Sequence, residues 1–370
     1  MKYLDEYRDA EIARKIIANI SATSTREMRL MEVCGTHTVA IFRSGIKNML
    51  PPNISLLSGP GCPVCVTPNE NIDKALYLAM QKDVILTTFG DMIKVPGSKT
   101  SLEKERAQGA DIRVIYSALD ALDIARRNPP KQVVLLGIGF ETTSPTIASA
   151  ILSADKEGLD NFFILAAHKL IPPAMKALLD AEEVRIDGFL CPGHVSTIIG
   201  SSPYQFIPTD YGLPCVIAGF EPLDMLQSIL MAVQQIEKQE AKVEIEYRRA
   251  VRPPGNITAL KVLYEVFDIC DARWRGLGII PKSGLQLKEK YRQFDAESAF
   301  AIPPAPFIKG GENVSPSGES KGCLCGEILR GIKVPTDCTL FGKVCTPEEP
   351  VGPCMVSSEG TCAAYFKYGS

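Results

Sequence analysis

Short apolar runs alternate with helical patterns along the first two thirds of this chain, and this alternation limits the folds that it can adopt. The runs EMRLMEV, ISLLS, DVILTTFG and DIRVIY each lead into a polar loop or a helical pattern. After Asn128, Pro129 and Pro130 the pattern restarts with QVVLLGIG, NFFILAA, IDGFL and PCVIAG. Alternation of this kind is typical of βα units around a mostly parallel sheet. The sequence therefore predicts an α/β fold with two Rossmann-like domains.

The two prolines and a change of character near residue 241 suggest three parts. We predict a first α/β domain over residues 1–128 and a second over residues 129–240, facing each other across a central cleft. Residues 241–370 are predicted to form a small third domain, in which EIEYRRAV is a strand and ITALKVLYEVFDICDARW a helix. Its last fifty residues hold six cysteines and little helical periodicity. Such a unit needs something other than a large apolar core.

Composition and charge exclude several classes of protein. The net charge of −3 leaves no basic footprint for nucleic acid. The N-terminal MKYLDEYRDAEIARK lacks the apolar core of a secretory signal, and no apolar run is long enough to cross a bilayer. We therefore expect a cytoplasmic protein without a membrane partner. Twelve cysteines in that compartment favour metal binding or thiol chemistry over structural disulfides.

Unusual polar residues directly follow one apolar run after another. They lie in the segments CGTHT, GPGCPVC, GFETT, AHKLIPPAM and CPGHVS. Ligands of open α/β sheets bind beyond the carboxyl ends of the strands. We therefore expect these five loops to share one cleft.

Cys62 and Cys65 form the motif C-P-V-C at the start of a helical pattern. Such a pair can cycle between dithiol and disulfide, because the helix dipole stabilises one thiolate and the short spacing favours ring closure. The alternatives are half of a zinc site or a structural pair, although no second pair lies nearby at the usual spacing. We favour thiol redox chemistry, with the flanking prolines and glycines aiming both sulfur atoms at one place.

Cys34 opens CGTHT, where the helix dipole and His37 are predicted to lower its pKa and favour the metal-binding thiolate. An inert, buried cysteine is the alternative. His168 and His194, the other two histidines, also follow apolar runs. Glu141 in GFETT is predicted to orient a histidine or take a proton, or else to cap a helix. No complete nucleotide-binding motif is present, so we predict no nucleotide site.

Six cysteines stand in the C-terminal segment, which contains no histidine. Thiolate-only ligation suits a 4Fe-4S cluster or a tetrathiolate zinc ion, and spacing alone does not choose between them. Either group needs four ligands and leaves two cysteines over. For Cys191, Cys215 and Cys270, which have mostly apolar neighbours, we predict ordinary burial.

Taken together, these motifs resemble the HypD family of nickel–iron hydrogenase maturation proteins over nearly the whole chain. The matching segments are MEVCGTHT, GPGCPVCVT, GFETTSPT, AAHKLIPPAM, CPGHVS and CTPEEPVGPCMVSSEGTCAAY. The resemblance implies a scaffold that, with a small HypC-type partner, assembles the Fe(CN)2CO unit of the hydrogenase large subunit. Cyanide would arrive from a thiocarbamate on a HypE-type partner.

The resemblance also implies roles for individual residues. Cys34 would hold the iron, and Cys62 and Cys65 would be a redox-active pair. Cys325, Cys338, Cys345 and Cys362 would bind a 4Fe-4S cluster, leaving Cys323 and Cys354 over. We further predict that His37, Glu141 and His194 handle protons or orient the incoming group. No enzyme class follows, and the alternatives are an iron–sulfur-linked thiol–disulfide reductase acting on a protein and a non-catalytic zinc protein.

Overall fold

A computed structural model describes residues 5–181, 183–303 and 321–369 of the chain. Most strands lie within the predicted apolar runs. The strands are β1 Met28–Glu32, β2 Ile54–Ser58, β3 Val84–Phe89, β4 Ile112–Ile115, β5 Gln132–Gly137, β6 Phe162–Ala166, β7 Gly188–Pro192, β8 Cys215–Ala218, β9 Val243–Ile245, β10 Phe267–Trp274 and β11 Gly278–Leu287.

Helices follow most of the strands, as the alternating pattern predicts. The helices are α1 Ala10–Thr23, α2 Gly35–Arg43, α3 Ile46–Met49, α4 Pro63–Val66, α5 Asn69–Ala79, α6 Leu102–Ala107, α7 Ala118–Arg127, α8 Ser144–Glu157, α9 Ile171–Ala181, α10 Gly193–Ile199, α11 Phe206–Tyr211, α12 Pro222–Glu237, α13 Ile257–Val266, α14 Ala296–Ala299, α15 Cys325–Leu329, α16 Pro353–Val356 and α17 Thr361–Tyr368. In the described part of the chain, no helix combines the length and the apolar character needed to span a membrane.

Two parallel sheets form the centre of the molecule, which confirms the predicted α/β class. The first sheet has the order β2-β1-β7-β8-β9, and the second has the order β4-β3-β5-β6. All of their strand pairs are parallel. The carboxyl ends of neighbouring strands therefore lie at one edge of each sheet.

The two sheets do not follow the predicted division of the chain at residues 128 and 129. β3 pairs directly with β5, with Val84 opposite Gln132, so the second sheet contains strands from both sides of that point. The first sheet takes β1 and β2 from the start of the chain and β7, β8 and β9 from beyond residue 187. The chain thus leaves the first sheet, builds the second and returns.

Residues 267–274 form a strand where the sequence predicts the second half of a helix. The predicted helix over residues 257–274 ends at Val266, and β10 then pairs with β11 in an antiparallel hairpin. Gly276 and Gly278, with φ of +76° and +77°, allow the tight turn. Pairing with β11 satisfies the backbone of residues 267–274, so tertiary context overrides the local helical pattern.

The β10–β11 hairpin packs on the second sheet, so it does not form a separate unit with the C-terminal cysteines. Leu263, Phe267 and Leu285 belong to one buried cluster with Val133 and Phe162 of that sheet. Residues 243–245 complete the first sheet as β9. The predicted third domain over 241–370 is therefore divided among several neighbours, and residues 321–369 carry α15, α16 and α17.

We predict that Phe267→Ala destabilises the protein by about 3–5 kcal/mol, because it leaves a large cavity between the hairpin and the second sheet. Urea denaturation of the wild type and the variant measures this loss. Ile279→Ala is the matched control, because Ile279 lies on the same hairpin and is 60% exposed. An equally small effect of both changes would contradict the assigned packing.

Candidate functional site

Cys34 lies at the carboxyl end of β1, immediately before α2. Its side chain is only 6% exposed. Burial raises the pKa of the Cys34 thiol to about 12 and outweighs the hydrogen bond from the His37 backbone N–H, which acts in the opposite direction. The predicted lowering of this pKa is therefore wrong for the metal-free chain. A metal ion would have to displace the proton to gain the thiolate.

The GPGC loop is packed directly against the backbone of Cys34. A Cβ atom on Gly61 would overlap the Cys34 nitrogen, so only glycine fits at this position. The Gly35 N–H donates to the Gly61 carbonyl oxygen at 3.1 Å, and the Gly59 N–H donates to the Glu32 carbonyl oxygen at 2.8 Å. These contacts hold the Cys34 turn and the Cys62 loop as one unit.

Cys62 and Cys65 form a buried dithiol on this loop. Cys62 precedes α4, and its sulfur accepts the Cys65 backbone N–H at 3.4 Å. The Cys65 thiol donates to the Cys62 sulfur at 2.8 Å, and both residues are free thiols. Burial raises the pKa of Cys65 well above its usual value. The geometry allows ring closure to a disulfide, since short spacing and contact are already present.

Cys354 connects the dithiol to the C-terminal segment. It is completely buried and forms thiol hydrogen bonds with Cys65, Cys325 and Cys362. No local pattern distinguishes Cys354, and the family resemblance assigns it no role as a cluster ligand. Gly352, two residues before Cys354, packs closely against the same cluster of thiols. A Cβ atom on Gly352 would lie 2.7 Å from the Cys325 sulfur.

The cysteines predicted to bind a cluster differ in their surroundings. Cys325, Cys345 and Cys362 are buried, and the Cys345 sulfur accepts the Val351 N–H at 3.4 Å. Cys338 is half-buried, and its thiol lies 3.8 Å from the Gly322 carbonyl oxygen. Across residues 5–181, 183–303 and 321–369, no group of three or more His, Cys, Asp or Glu side chains is arranged to hold a metal ion. The donor set itself, all thiols, fits thiolate-only ligation.

His37 and His194 both pack against the Phe220 ring. The two imidazoles have centroids 4.9 Å and 3.8 Å from that ring. His37 Nε2 lies 3.2 Å from the Ala218 carbonyl oxygen, and its buried Nδ1 has no hydrogen-bond partner among the described residues. Burial lowers the pKa of His37 to about 4 and also lowers the pKa of His194. Both imidazoles are therefore neutral at pH 7, which suits orientation or proton acceptance.

Glu359 is a further polar residue at the Cys34 turn. Thr36 Oγ1 donates to Glu359 Oε1 at 2.6 Å, and a Cβ on Gly35 would lie 2.5 Å from the Glu359 carbonyl oxygen. The charge of Glu359 also raises the pKa of His194, against the effect of burial. The segment containing Glu359 was quoted for the family resemblance, but nothing in its local pattern distinguished this carboxylate from Glu348 or Glu349.

Glu141 and His168 lie at the carboxyl edge of the second sheet. Glu141 Oε1 accepts the Ile171 N–H at 3.0 Å, so this carboxylate caps α9, while the buried Oε2 has no hydrogen-bond partner in the described part of the chain. Burial raises the pKa of Glu141 to about 7. His168 contacts Phe267 edge-on at 5.3 Å, and burial lowers its pKa to about 3. The hydrogen bond of Glu141 is thus made to α9 and not to the Cys34 turn.

A cavity of about 610 Å³ opens beside the dithiol loop. Pro63 and Val64 form one wall, and the residues that follow β3, β4 and β5 form the others. This is the position at which open α/β sheets bind ligands, because the strand order reverses between β3 and β5.

Of the other cysteines predicted to be buried, Cys191 and Cys215 are fully buried, whereas Cys270 is only partly so.

We predict that Gly61→Ala destabilises the protein by about 1–3 kcal/mol, because the added methyl group meets rigid backbone. The midpoint of urea denaturation measures the change. Gly90→Ala is the control, because a Cβ there would lie 3.7 Å from Val114 Cγ1, an ordinary contact. Equal midpoints for Gly61→Ala and the wild type would exclude the described contact with Cys34.

Comparison with known proteins agrees with these motifs. The sequence model of a family described as "HypD: Hydrogenase formation hypA family" matches residues 11–369. The chain is 49% identical to the hydrogenase maturation factor HypD2 of Bradyrhizobium diazoefficiens, with 100% of this chain and 97% of the relative aligned. It is 49% identical to the hydrogenase expression/formation protein HupD of Azotobacter chroococcum, again with 100% and 97% aligned. For the hydrogenase maturation factor HypD of Cupriavidus necator the identity is 48%, with the same coverage. The chain belongs to the HypD family of hydrogenase maturation factors.

Proposed function

We propose that this chain is the scaffold on which the iron of nickel–iron hydrogenase receives its cyanide and carbonyl ligands. Cys34 anchors the iron, which is the cargo, together with a HypC-type partner. Cys62 and Cys65 supply electrons for cyanide transfer from a HypE-type partner. The observation that carries this proposal is the backbone contact between the Cys34 turn and the dithiol loop.

Thiolate anchoring suits iron with cyanide and carbonyl ligands, because such iron favours soft donors. The Cys34 thiol must lose its proton when the iron binds. Neutral His194 is exposed beside the turn and can accept that proton. His37, held by the Ala218 carbonyl oxygen, orients the neighbouring backbone. Cys34 thus binds the metal, His194 accepts the proton and His37 orients the backbone.

The dithiol supplies the two electrons that cyanide release requires. Loss of water from a thiocarbamate leaves a thiocyanate, R–S–C≡N. Breaking its S–C bond with two electrons gives R–S⁻, which takes one proton, and cyanide, which binds the iron. Oxidation of Cys62 and Cys65 to a disulfide provides both electrons and releases two protons, one of which R–S⁻ takes and the other of which passes to solvent, so the step balances. The contact between the two sulfur atoms places them for this ring closure.

The C-terminal cysteines would then return the dithiol to its reduced form. We propose that Cys325, Cys338, Cys345 and Cys362 hold a 4Fe-4S cluster, which when bound supplies electrons one at a time. Cys354 lies between these residues and Cys65, with a thiol contact to each side. Its burial keeps this exchange away from solvent thiols.

The alternative of a thiol–disulfide reductase for protein substrates is disfavoured by the same burial. Cys62 is 4% exposed and Cys65 is not exposed. A protein disulfide has to approach an accessible thiolate before exchange can start. A small carrier group needs less access than a folded protein does, and the cavity lined by Pro63 and Val64 opens beside this loop.

We predict that Cys34→Ala abolishes the infrared stretching bands of cyanide and carbonyl in protein purified anaerobically with its HypC-type partner. The variant loses the soft ligand that retains the iron, while the wild type shows both kinds of band. Cys215→Ala, at a buried thiol on β8, should keep them. Bands of wild-type intensity in Cys34→Ala would reject the proposed anchor.

We predict that Cys62→Ser separates iron binding from cyanide transfer. Iron analysis should give the wild-type content, because Cys34 is intact, but the cyanide bands should be absent, since the Cys62–Cys65 disulfide can no longer form. Cys270→Ser on the β10–β11 hairpin serves as the control. Normal cyanide bands in Cys62→Ser would exclude the dithiol as the electron source.

A further inference from the structure

We propose that Glu32 is the positioning residue that holds Cys34 in register with the Cys62–Cys65 loop. The expected effect of Glu32 on iron binding rests on the function proposed above, but its expected effect on the Cys34 turn does not. Glu32 is the last residue of β1 and is 2% exposed. A buried carboxylate is costly unless hydrogen bonds satisfy it, so its contacts show what it is there to hold.

The Glu32 side chain binds donors from three segments. Oε2 accepts the backbone N–H of Cys34 at 2.9 Å, and Oε1 accepts the hydroxyl of Thr38 on α2. The carboxylate also forms a hydrogen bond with the side chain of Ser58, the last residue of β2. Ser58 leads directly into the GPGC loop. One side chain therefore connects the Cys34 turn, the first turns of α2 and the start of the dithiol loop.

The packing of Gly61 explains why this acceptor is needed. Gly61 lies against the Cys34 nitrogen so closely that even a methyl group would overlap it. Water therefore cannot reach this N–H from the side of the loop. Within the described residues, Glu32 Oε2 is the acceptor that the structure gives to this donor. Removing it would leave a buried N–H unsatisfied, which is costly, and the turn would open to regain a partner.

The role depends on acceptor position. All the partners named are donors, and the hydroxyls of Ser58 and Thr38 can rotate to accept instead. Glutamine can thus present its carbonyl oxygen to Cys34 and its amide to the hydroxyls. Aspartate keeps the carboxyl group but is one methylene shorter and withdraws from the Cys34 N–H. The pair Glu32→Gln and Glu32→Asp therefore separates the position of the acceptor oxygen from the presence of a carboxyl group.

The test measures the rate at which iodoacetamide alkylates Cys34 in the metal-free, full-length protein, followed by peptide mass spectrometry. We expect alkylation about tenfold faster in Glu32→Ala and Glu32→Asp, since the buried turn opens more often. Glu32→Gln should stay within about twofold of the wild type. Ser58→Ala is the matched control, because it removes a Glu32 contact at the end of β2 that does not involve Cys34. Buried Cys215 is the internal reference for unfolding.

The outcomes decide the proposal in each case. If Cys215 also becomes reactive in Glu32→Ala, that variant has unfolded, and the comparison of Glu32→Asp with Glu32→Gln tests the positioning role instead. Wild-type rates in Glu32→Asp, or a fast rate in Glu32→Gln, would overturn the positioning role. Iron content with the HypC-type partner is measured in parallel and should fall in Glu32→Asp but not in Glu32→Gln. A wild type without iron would instead refute the proposed function while leaving the alkylation result standing.

Discussion

The close approach of Gly61 to the peptide of Cys34 is the constraint on which the site depends. It places a loop that follows β2 directly over a turn that follows β1, with no room for a side chain between them. Because β1 and β2 are neighbours in a parallel sheet, both loops leave from the same edge. The sheet brings the two loops together, and the glycine lets their backbones touch.

Burial determines the chemistry of the sulfur atoms once they are in place. Cys34 stands at a helix start, where the dipole and backbone N–H groups favour a thiolate, yet loss of solvent has the larger effect on its pKa. Cys65 behaves in the same way. The protein thus keeps these two thiols protonated and protected from solvent. Such thiols resist adventitious oxidation better than exposed thiolates would.

The sequence predicts the local features of this fold well and its long-range pairing poorly. Apolar runs followed by polar loops identify the strands and place Cys34, Cys62 and His194 at strand ends, because that pattern is local. The pairing of β3 with β5 across the prolines at 129–130 is not local, and nothing in the composition reports it. The strand over residues 267–274 is similar, since only its partner β11 makes it a strand. Cys354 is distinguished only by its contacts with Cys65, Cys325 and Cys362 in the folded chain.

The return of the chain to its first sheet has a consequence for biosynthesis. β1 lies between β2 and β7, and the Val33 N–H donates to the Leu190 carbonyl oxygen. A nascent chain on the ribosome folds from its N-terminus as it emerges. The turn that carries Cys34 therefore lacks one of its walls until the whole second sheet and then Gly188–Pro192 have been translated. The walls around Cys34 are in this way completed only after most of the polypeptide has been made.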